Sequence, residues 1–425
     1  MIRSTKTLRL AVVASACALV LAACGGGGDD GGDDGGQVKS KADGTLTIGS
    51  LLPQTGSLAY LGPPEFAGVD LAIKEINEAG GVLGKDVKGI KADSGDTDSG
   101  IAPSETDKLL KGGSDVIVGA ASSGVSMTVI DKILAAGVVQ FSPANTSTDF
   151  DSKKYAKPDL YFRTAPSDIL QGAVLANLLL EDGRKNVAIL ARQDAYGEAL
   201  AAEAKKGIEG AGGKVASLVF YGEKAQSYDS QVSEIADSKP DSVLLVAFEE
   251  TTSIVPKLIE ANVGPQDVPT YFVDGNTANY GKGDTTELKD GTLEGVKGTI
   301  PGESSKDFRD RLLAVNPDLK DYAYASESYD AVVVSALAAI AADSDSGSEL
   351  AKEIINITRG GEKCTEFKAC ADLLADGKDV DYDGISGPIE MGETGSPTSA
   401  SIGIYEYDSK NKIPKTAQDY KKGQI

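Results

Sequence analysis

From residue 46 to residue 273 one pattern repeats: a short apolar run, a turn, then a longer stretch with apolar residues every three or four positions. That alternation restricts the chain to sheets of mostly parallel strands joined by crossover helices. Predicted strands cover 46–52, 88–92, 116–119 and 138–142, with helices at 65–79, 101–110 and 126–136 between them. In the first helix Phe66, Val69, Ile73 and Ile76 share a face, and Gly80 and Gly81 end it. A second series begins after Arg163-Thr164-Ala165-Pro166, where proline and polar residues break the alternation. It reads as helix 168–181, strand 187–191, helix 197–209, strand 215–221, helix 230–237, strand 242–248, helix 253–261 and strand 270–273. Beyond it the chain continues through 296–301 to a helix near 307–315 and a strongly apolar helix at 329–342. This last helix is too apolar for an edge and is expected in the core of the first lobe. The expected class is α/β: two lobes, each a mostly parallel sheet flanked by helices, joined by crossing segments that act as a hinge.

The first residues address the chain rather than fold it. Arg3, Lys6 and Arg9 precede an apolar run at 10–21, shorter than the roughly 20 residues that span a bilayer, and Leu21-Ala22-Ala23 leads into Cys24. Small residues before a cysteine resemble a bacterial lipobox, which implies cleavage after residue 23 and lipid on Cys24. The run GGGGDDGGDDGG that follows reads as a flexible leash. The expected location is extracytoplasmic, lipid-anchored to the cell membrane, with a monomeric body.

Composition excludes several functions. The net charge of -22 leaves nucleic acid a poor partner. The chain has no histidine and no tryptophan, so a Ser/His/Asp triad and a His-ligated zinc site are excluded. Cys364 and Cys370, with five residues between them, are expected to pair in an oxidising compartment if the chain turns between them; a continuous helix across 364–370 would forbid it.

Motifs with a catalytic look fail in detail. Gly81-Val82-Leu83-Gly84-Lys85-Asp86 lacks the first glycine of a phosphate loop and carries Asp86 where the magnesium-binding hydroxyl belongs. Ala120-Ala121-Ser122-Ser123-Gly124 sits where a nucleophile elbow would, but no histidine can activate the serine. The aspartate-rich loops 93–98 and 381–383 lack the glycine and terminal glutamate of an EF-hand and read as solvated turns. Neither a cofactor nor a metal is expected. The strand-to-helix junctions do offer free backbone N–H groups. A helix start at 122–124 and the strand end Ser142-Pro143-Ala144-Asn145-Thr146 would together cradle a carboxylate. Asp274, ending a strand of the other lobe, would hold an ammonium group, so the pair describes an amino-acid zwitterion. Alternative readings stay open: Ser123 and Thr146 as helix caps, Tyr196 and Tyr324 as core aromatics, and Asp274 as a turn residue.

The motifs LTIGSLLPQTGSLAYLGPPEFAGVDLAIKEINEAGGVLG, VIVGAASSGVS, VVQFSPANTS, YFRTAPSD, RQDAYGE, YFVDG, YDAV and SGPIEM, in this order, resemble the substrate-binding lipoproteins of branched-chain amino-acid ABC transporters. The resemblance implies a type I periplasmic-binding fold, two lobes with three hinge crossings closing on a ligand that is passed to an ABC permease. It places the substrate carboxylate on Ser123, with Ser122 beside it, and a backbone contact and a hydroxyl on Ala144 and Thr146. It places Tyr196 in the site and the ammonium on Asp274, with side-chain walls at Tyr324, at Phe248 or Glu249, and at Leu61, next to Tyr60. The implied division is a signal at 1–23, a lipidated linker at 24–43, a first lobe from 44–164 and 300–388, a second from 165–299 and 389–415, and a tail at 416–425. The implied function is capture of a branched-chain or related aliphatic amino acid, without enzymatic activity; the alternative is a clamp-type sensor of an amide, urea or other small polar metabolite.

Overall fold

The structure is a computed structural model that describes residues 42–152, 155 and 160–424. The expected signal, Cys24 and nearly all of the linker lie outside the described residues. In chain order the first lobe opens with β1 (Thr47–Leu52), α1 (Gly62–Glu78), β2 (Lys88–Asp93), α2 (Ala102–Lys111), β3 (Val116–Gly119), α3 (Ser123–Ala135), β4 (Val139–Ser142) and β5 (Tyr161–Arg163). The second lobe holds α4 (Asp168–Glu181), β6 (Asn186–Arg192), α5 (Ala195–Gly210), β7 (Lys214–Tyr221), α6 (Asp229–Asp237), β8 (Ser242–Val246), α7 (Thr251–Glu260), β9 (Thr270–Phe272) and β10 (Lys297–Pro301). The chain returns to the first lobe with α8 (Lys306–Val315), α9 (Ala325–Ala341), α10 (Gly347–Ile357), β11 (Glu362–Cys364), α11 (Phe367–Ala375), β12 (Val380–Gly384) and β13 (Gly387–Pro388). It ends in the second with β14 (Ser399–Glu406) and β15 (Asp419–Gln424).

The first sheet runs β2-β1-β3-β4-β5 and is parallel throughout, as crossover helices require. The second runs β15-β14-β10-β9-β8-β6-β7; it is parallel from β10 to β7, and β14 and β15 add antiparallel to the β10 edge. Three segments therefore cross between lobes, after β5, after β10 and after β13. Two boundaries differ from the sequence reading. Residues 297–301 pair wholly within the second sheet, and the expected tail at 416–425 contains β15, paired to β14 from Ser399↔Gln424 to Ile404↔Asp419. A polar edge strand with two lysines and no fully buried position leaves little apolar signal to read.

α9 starts four residues before its predicted position and is buried from Ala325 to Ala339. Its Val332-Val333-Val334 run is unfavourable for an isolated helix, so burial in the first-lobe core holds it, each fully buried valine contributing about 1.5–3 kcal/mol. Cys364 ends β11 and Cys370 lies in α11; the turn between them brings their Cα atoms to 5.5 Å, and they form a disulfide.

Two crossings meet at one buried acid. Glu327, in the first turn of α9, takes the Thr164 hydroxyl on its backbone carbonyl at 2.9 Å, while Gly302 packs so closely that a Cβ there would lie 1.7 Å from Oε1. Oε2 accepts from Ser326 at 3.0 Å and Oε1 has no partner. Burial pushes this carboxyl up to about 8. A folded pKa above the unfolded one means that the stability from this group is complete in acid and is lost as pH rises toward 8. Glu327→Gln is therefore expected to flatten the dependence of Tm on pH between about 5 and 8; a slope equal to wild type in thermal melts would show that Glu327 does not take up this proton.

Candidate functional site

The two loops expected to face a carboxylate are tied into one unit. Asn145 Nδ2 donates to the carbonyls of Ala120 and Ala121 at 3.0 and 2.8 Å, and Ser142 Oγ donates to Ala120 at 2.8 Å. Arg163, fully buried, donates to the carbonyls of Asn145 and Ser147 and pairs with Asp151 at 2.7 Å. The loop's acceptors are thus held from behind. α3 begins at Ser123, three residues before its predicted start, because Ser122 caps it by accepting from the Val125 N–H at 3.4 Å. The helix N-terminus, with its unpaired donors and positive dipole end, therefore falls at Ser122 and Ser123 themselves.

Ser123 Oγ accepts weakly from the Ser147 N–H at 3.4 Å, and the Ala144 N–H reaches Ser142 Oγ at 3.3 Å. Both contacts are long, so both groups keep capacity for an anion. The Thr146 hydroxyl is buried beside the Asp168 carboxyl.

Opposite stands Asp274, in a short turn after β9 and 4% exposed. Tyr196 and Gln171 donate to Oδ1 at 2.6 and 2.9 Å, and Tyr324 donates to Oδ2 at 2.6 Å. Tyr324 comes from the first-lobe side, where it precedes α9 with φ 58°, and Tyr60 adds a bond to the Asp274 carbonyl at 2.9 Å. Burial raises the Asp274 carboxyl above its ordinary value, and the three side-chain donors pull it back down. One lone-pair position on Oδ2 remains for a cationic donor.

Between cradle and acid lies a narrow cleft. Leu58, Leu61, Ala121 and Ala144 wall it from the first lobe, and Tyr196, Phe248 and Gly275 from the second. The Tyr196 and Phe248 rings stack with centroids 5.3 Å apart and planes at 20°. Of the expected site residues Leu61, Ser122, Ser123, Ala144, Tyr196, Phe248, Asp274 and Tyr324 all line this cleft; Thr146 is set back behind it. Glu249, the alternative to Phe248, is exposed and outside the cleft. Leu61 and Tyr60 divide the work: Leu61 lines the space, Tyr60 bonds across the lobes.

Sequence reasoning missed Leu58, Gln171 and Asp168. Asp168 and Gln171 stand three apart at the start of α4, on one helical face, a spacing that was visible but was absorbed into the helix pattern. Asp168 is fully buried, and the Thr146 hydroxyl lies beside its carboxyl. Burial first, then the Asp274 charge, raises it well above the usual carboxylate range.

The aspartate-rich loops are spoken for: Asp93 takes the Gln54 and Thr55 N–H groups and the Thr55 hydroxyl, and Asp381 and Asp383 pair with Lys363. Among the described residues no group of acids and cysteines is arranged to hold a metal, and no helix is long and apolar enough to cross a membrane.

Two parallel-sheet lobes, three crossings and a cleft between them are the geometry of a hinged binding protein, and residues 45–412 match the periplasmic binding protein family. The chain belongs to that family. It is 28% identical over 277 residues to the leucine-, isoleucine-, valine-, threonine- and alanine-binding protein of Pseudomonas aeruginosa, covering 64% of this chain and 71% of that protein. It is 27% identical over 374 residues to the Leu/Ile/Val-binding protein BraC3 of Rhizobium johnstonii, covering 87% and 93%. The fold is similar to that of the branched-chain amino acid transporter substrate-binding protein LivJ of Streptococcus pneumoniae in complex with isoleucine, with a TM-score of 0.69 at 18% identity, covering 90% and 100% of the two chains.

Proposed function

We propose that this periplasmic binding protein captures a branched-chain or related aliphatic amino acid between its lobes and delivers it to an ABC permease. The observation that carries the reading is the opposition of a helix N-terminus at Ser122 and Ser123, lining one side of the cleft, to the buried acid Asp274 on the other. That spacing takes a carboxylate at one end and an ammonium at the other, and the walls between are aliphatic and aromatic. Binding proceeds without a covalent step, since a chain without histidine lacks the usual base for a buried serine. The sequence relatives, named for binding leucine, isoleucine and valine, support the same class of ligand. Calorimetry of the purified protein with leucine, isoleucine and valine should give saturable heats; no heat with any amino acid would remove the substrate assignment.

Cys24 is proposed to carry the lipid that keeps the receptor at the membrane, with the Gly/Asp run as its leash. Cys24→Ser is expected to move the protein from the membrane fraction to the soluble fraction with its amino-acid affinity unchanged. Retention in the membrane fraction would show that another element anchors it.

A further inference from the structure

Outside the cleft the lobes touch through a chain of contacts that leads back to the ligand wall. Phe248 stacks on Tyr196 and is covered by the Arg192 guanidinium, 3.7 Å from the ring centre. Arg192 is 4% exposed and meets three carboxylates: Nε to Asp194 at 2.7 Å, Nη1 to Glu250 at 2.7 Å and Nη2 to Glu223 at 3.2 Å. Two of these stay within the second lobe. Asp194 caps α5 through the Gly197 N–H at 2.7 Å, and Glu250 takes the Tyr221 hydroxyl at 2.8 Å. Glu223 alone of the three reaches across, to the Thr97 hydroxyl in the loop after β2. Thr97, Ser122 and Leu58 of the first lobe and Arg192 and Phe248 of the second line one small space, so the crossing contact and the ligand wall share a boundary.

We propose that Glu223, positioned by Arg192, is a closure latch that takes the Thr97 hydroxyl when the lobes shut and sets how long a ligand is held. This rests on the amino-acid-binding reading above. A contact made only in the closed state multiplies the affinity of every ligand by one factor, because it acts on the closing equilibrium and not on the ligand. Selectivity stays with the cleft walls. Neighbouring contacts close with the latch: Lys224 pairs with Asp98 at 3.4 Å, and the Glu249 N–H donates to the Ser57 carbonyl at 3.3 Å. Burial raises the Glu223 carboxyl, with the Thr97 hydroxyl and Arg192 opposing the rise, which fits an acid partly withdrawn from water by the opposing lobe.

The test is calorimetry and stopped-flow binding of leucine, isoleucine and valine to wild type, Thr97→Val, Thr97→Ser and Glu223→Ala. Thr97→Val and Glu223→Ala should weaken all three ligands by a common factor of about three to ten, through faster dissociation, and Thr97→Ser should recover wild-type behaviour. Unchanged dissociation rates, or losses that differ between the ligands as much as they differ from wild type, would overturn the latch. Amide exchange at Glu249 in the ligand-free protein supplies a readout that needs no ligand: faster exchange in Thr97→Val supports the latch and equal exchange removes it. Should wild type bind no amino acid, the substrate reading fails, and this exchange measurement still decides the latch.

Discussion

Asp274→Ala is expected to weaken amino-acid binding by about a hundredfold or more, the largest functional effect of any single substitution in the cleft. Removing one partner of a buried charge pair costs about 3–5 kcal/mol, and each 1.4 kcal/mol is a factor of ten. Asp274 is suited to such a role because Tyr196, Tyr324 and Gln171 fix both its oxygens before any ligand arrives, so little ordering remains to be done on binding. Alanine would also leave two buried tyrosine hydroxyls without their acceptor, so Asp274→Asn serves as the companion: it keeps an acceptor and removes the charge. Both variants should lose affinity in calorimetry, and a wild-type dissociation constant in Asp274→Asn would take the carboxylate out of ammonium binding. The pH dependence follows from the same burial. The folded pKa of Asp274 is raised, so the ligand-free chain loses stability as pH rises through that value and the carboxyl ionises. An ammonium ligand compensates the ionised form. The rise in Tm on adding leucine should therefore be larger at neutral pH than in mild acid, and a rise that grows on acidification would contradict it.

Gly68→Val should cause the largest loss of stability without touching the cleft. Gly68 lies in α1 where that helix crosses α9, and a Cβ there would sit 2.2 Å from the Ala325 carbonyl oxygen and 3.1 Å from the Ser328 side chain. The first obstacle is backbone inside a fully buried helix, so it cannot turn aside as a flexible side chain would. α1 must move off α9, opening the first-lobe core between these two helices. We expect a loss of about 3 kcal/mol or more, at the upper end of overpacking, and a fall in Tm of about 4 °C or more. Gly68→Ala should lose part of this. A melting curve of Gly68→Val that overlays wild type would show that the two helices have room to separate.

Much of the fold was legible because strand-helix alternation is a local signal. β3 and α4 occur at their predicted limits, and most other elements of the two series lie within three residues of theirs. What escaped has identifiable causes. α3 started early because a serine cap overrides the first apolar residue as the start signal. In the unassigned region 343–388, β11, α11 and β12 are short and are organised around the disulfide and the α9 core rather than by their own periodicity. β15 escaped because an edge strand of polar residues resembles a tail.

In the site the limits are the same. Polar residues at strand ends pointed to Ser123, Thr146 and Asp274, because open parallel sheets place ligands there. Leu58 was missed because one leucine among many carries no mark, and Asp168 because an acid at a helix start is already explained by the helix dipole.

By itself, the sequence determined the strand-helix order, the two-lobe class, the absence of histidine chemistry and the set of polar loop residues from which a site could be built. All of these depend on residue type and on spacings shorter than one helix or strand. Only the tertiary structure decided that Asp274 is held by tyrosines 78 and 50 residues away in the chain, that Asp168 is buried near it, and that Glu223 meets Thr97 across the lobes. Those contacts join segments brought together by crossings and closure, and pairing across such distances leaves no local pattern in the chain.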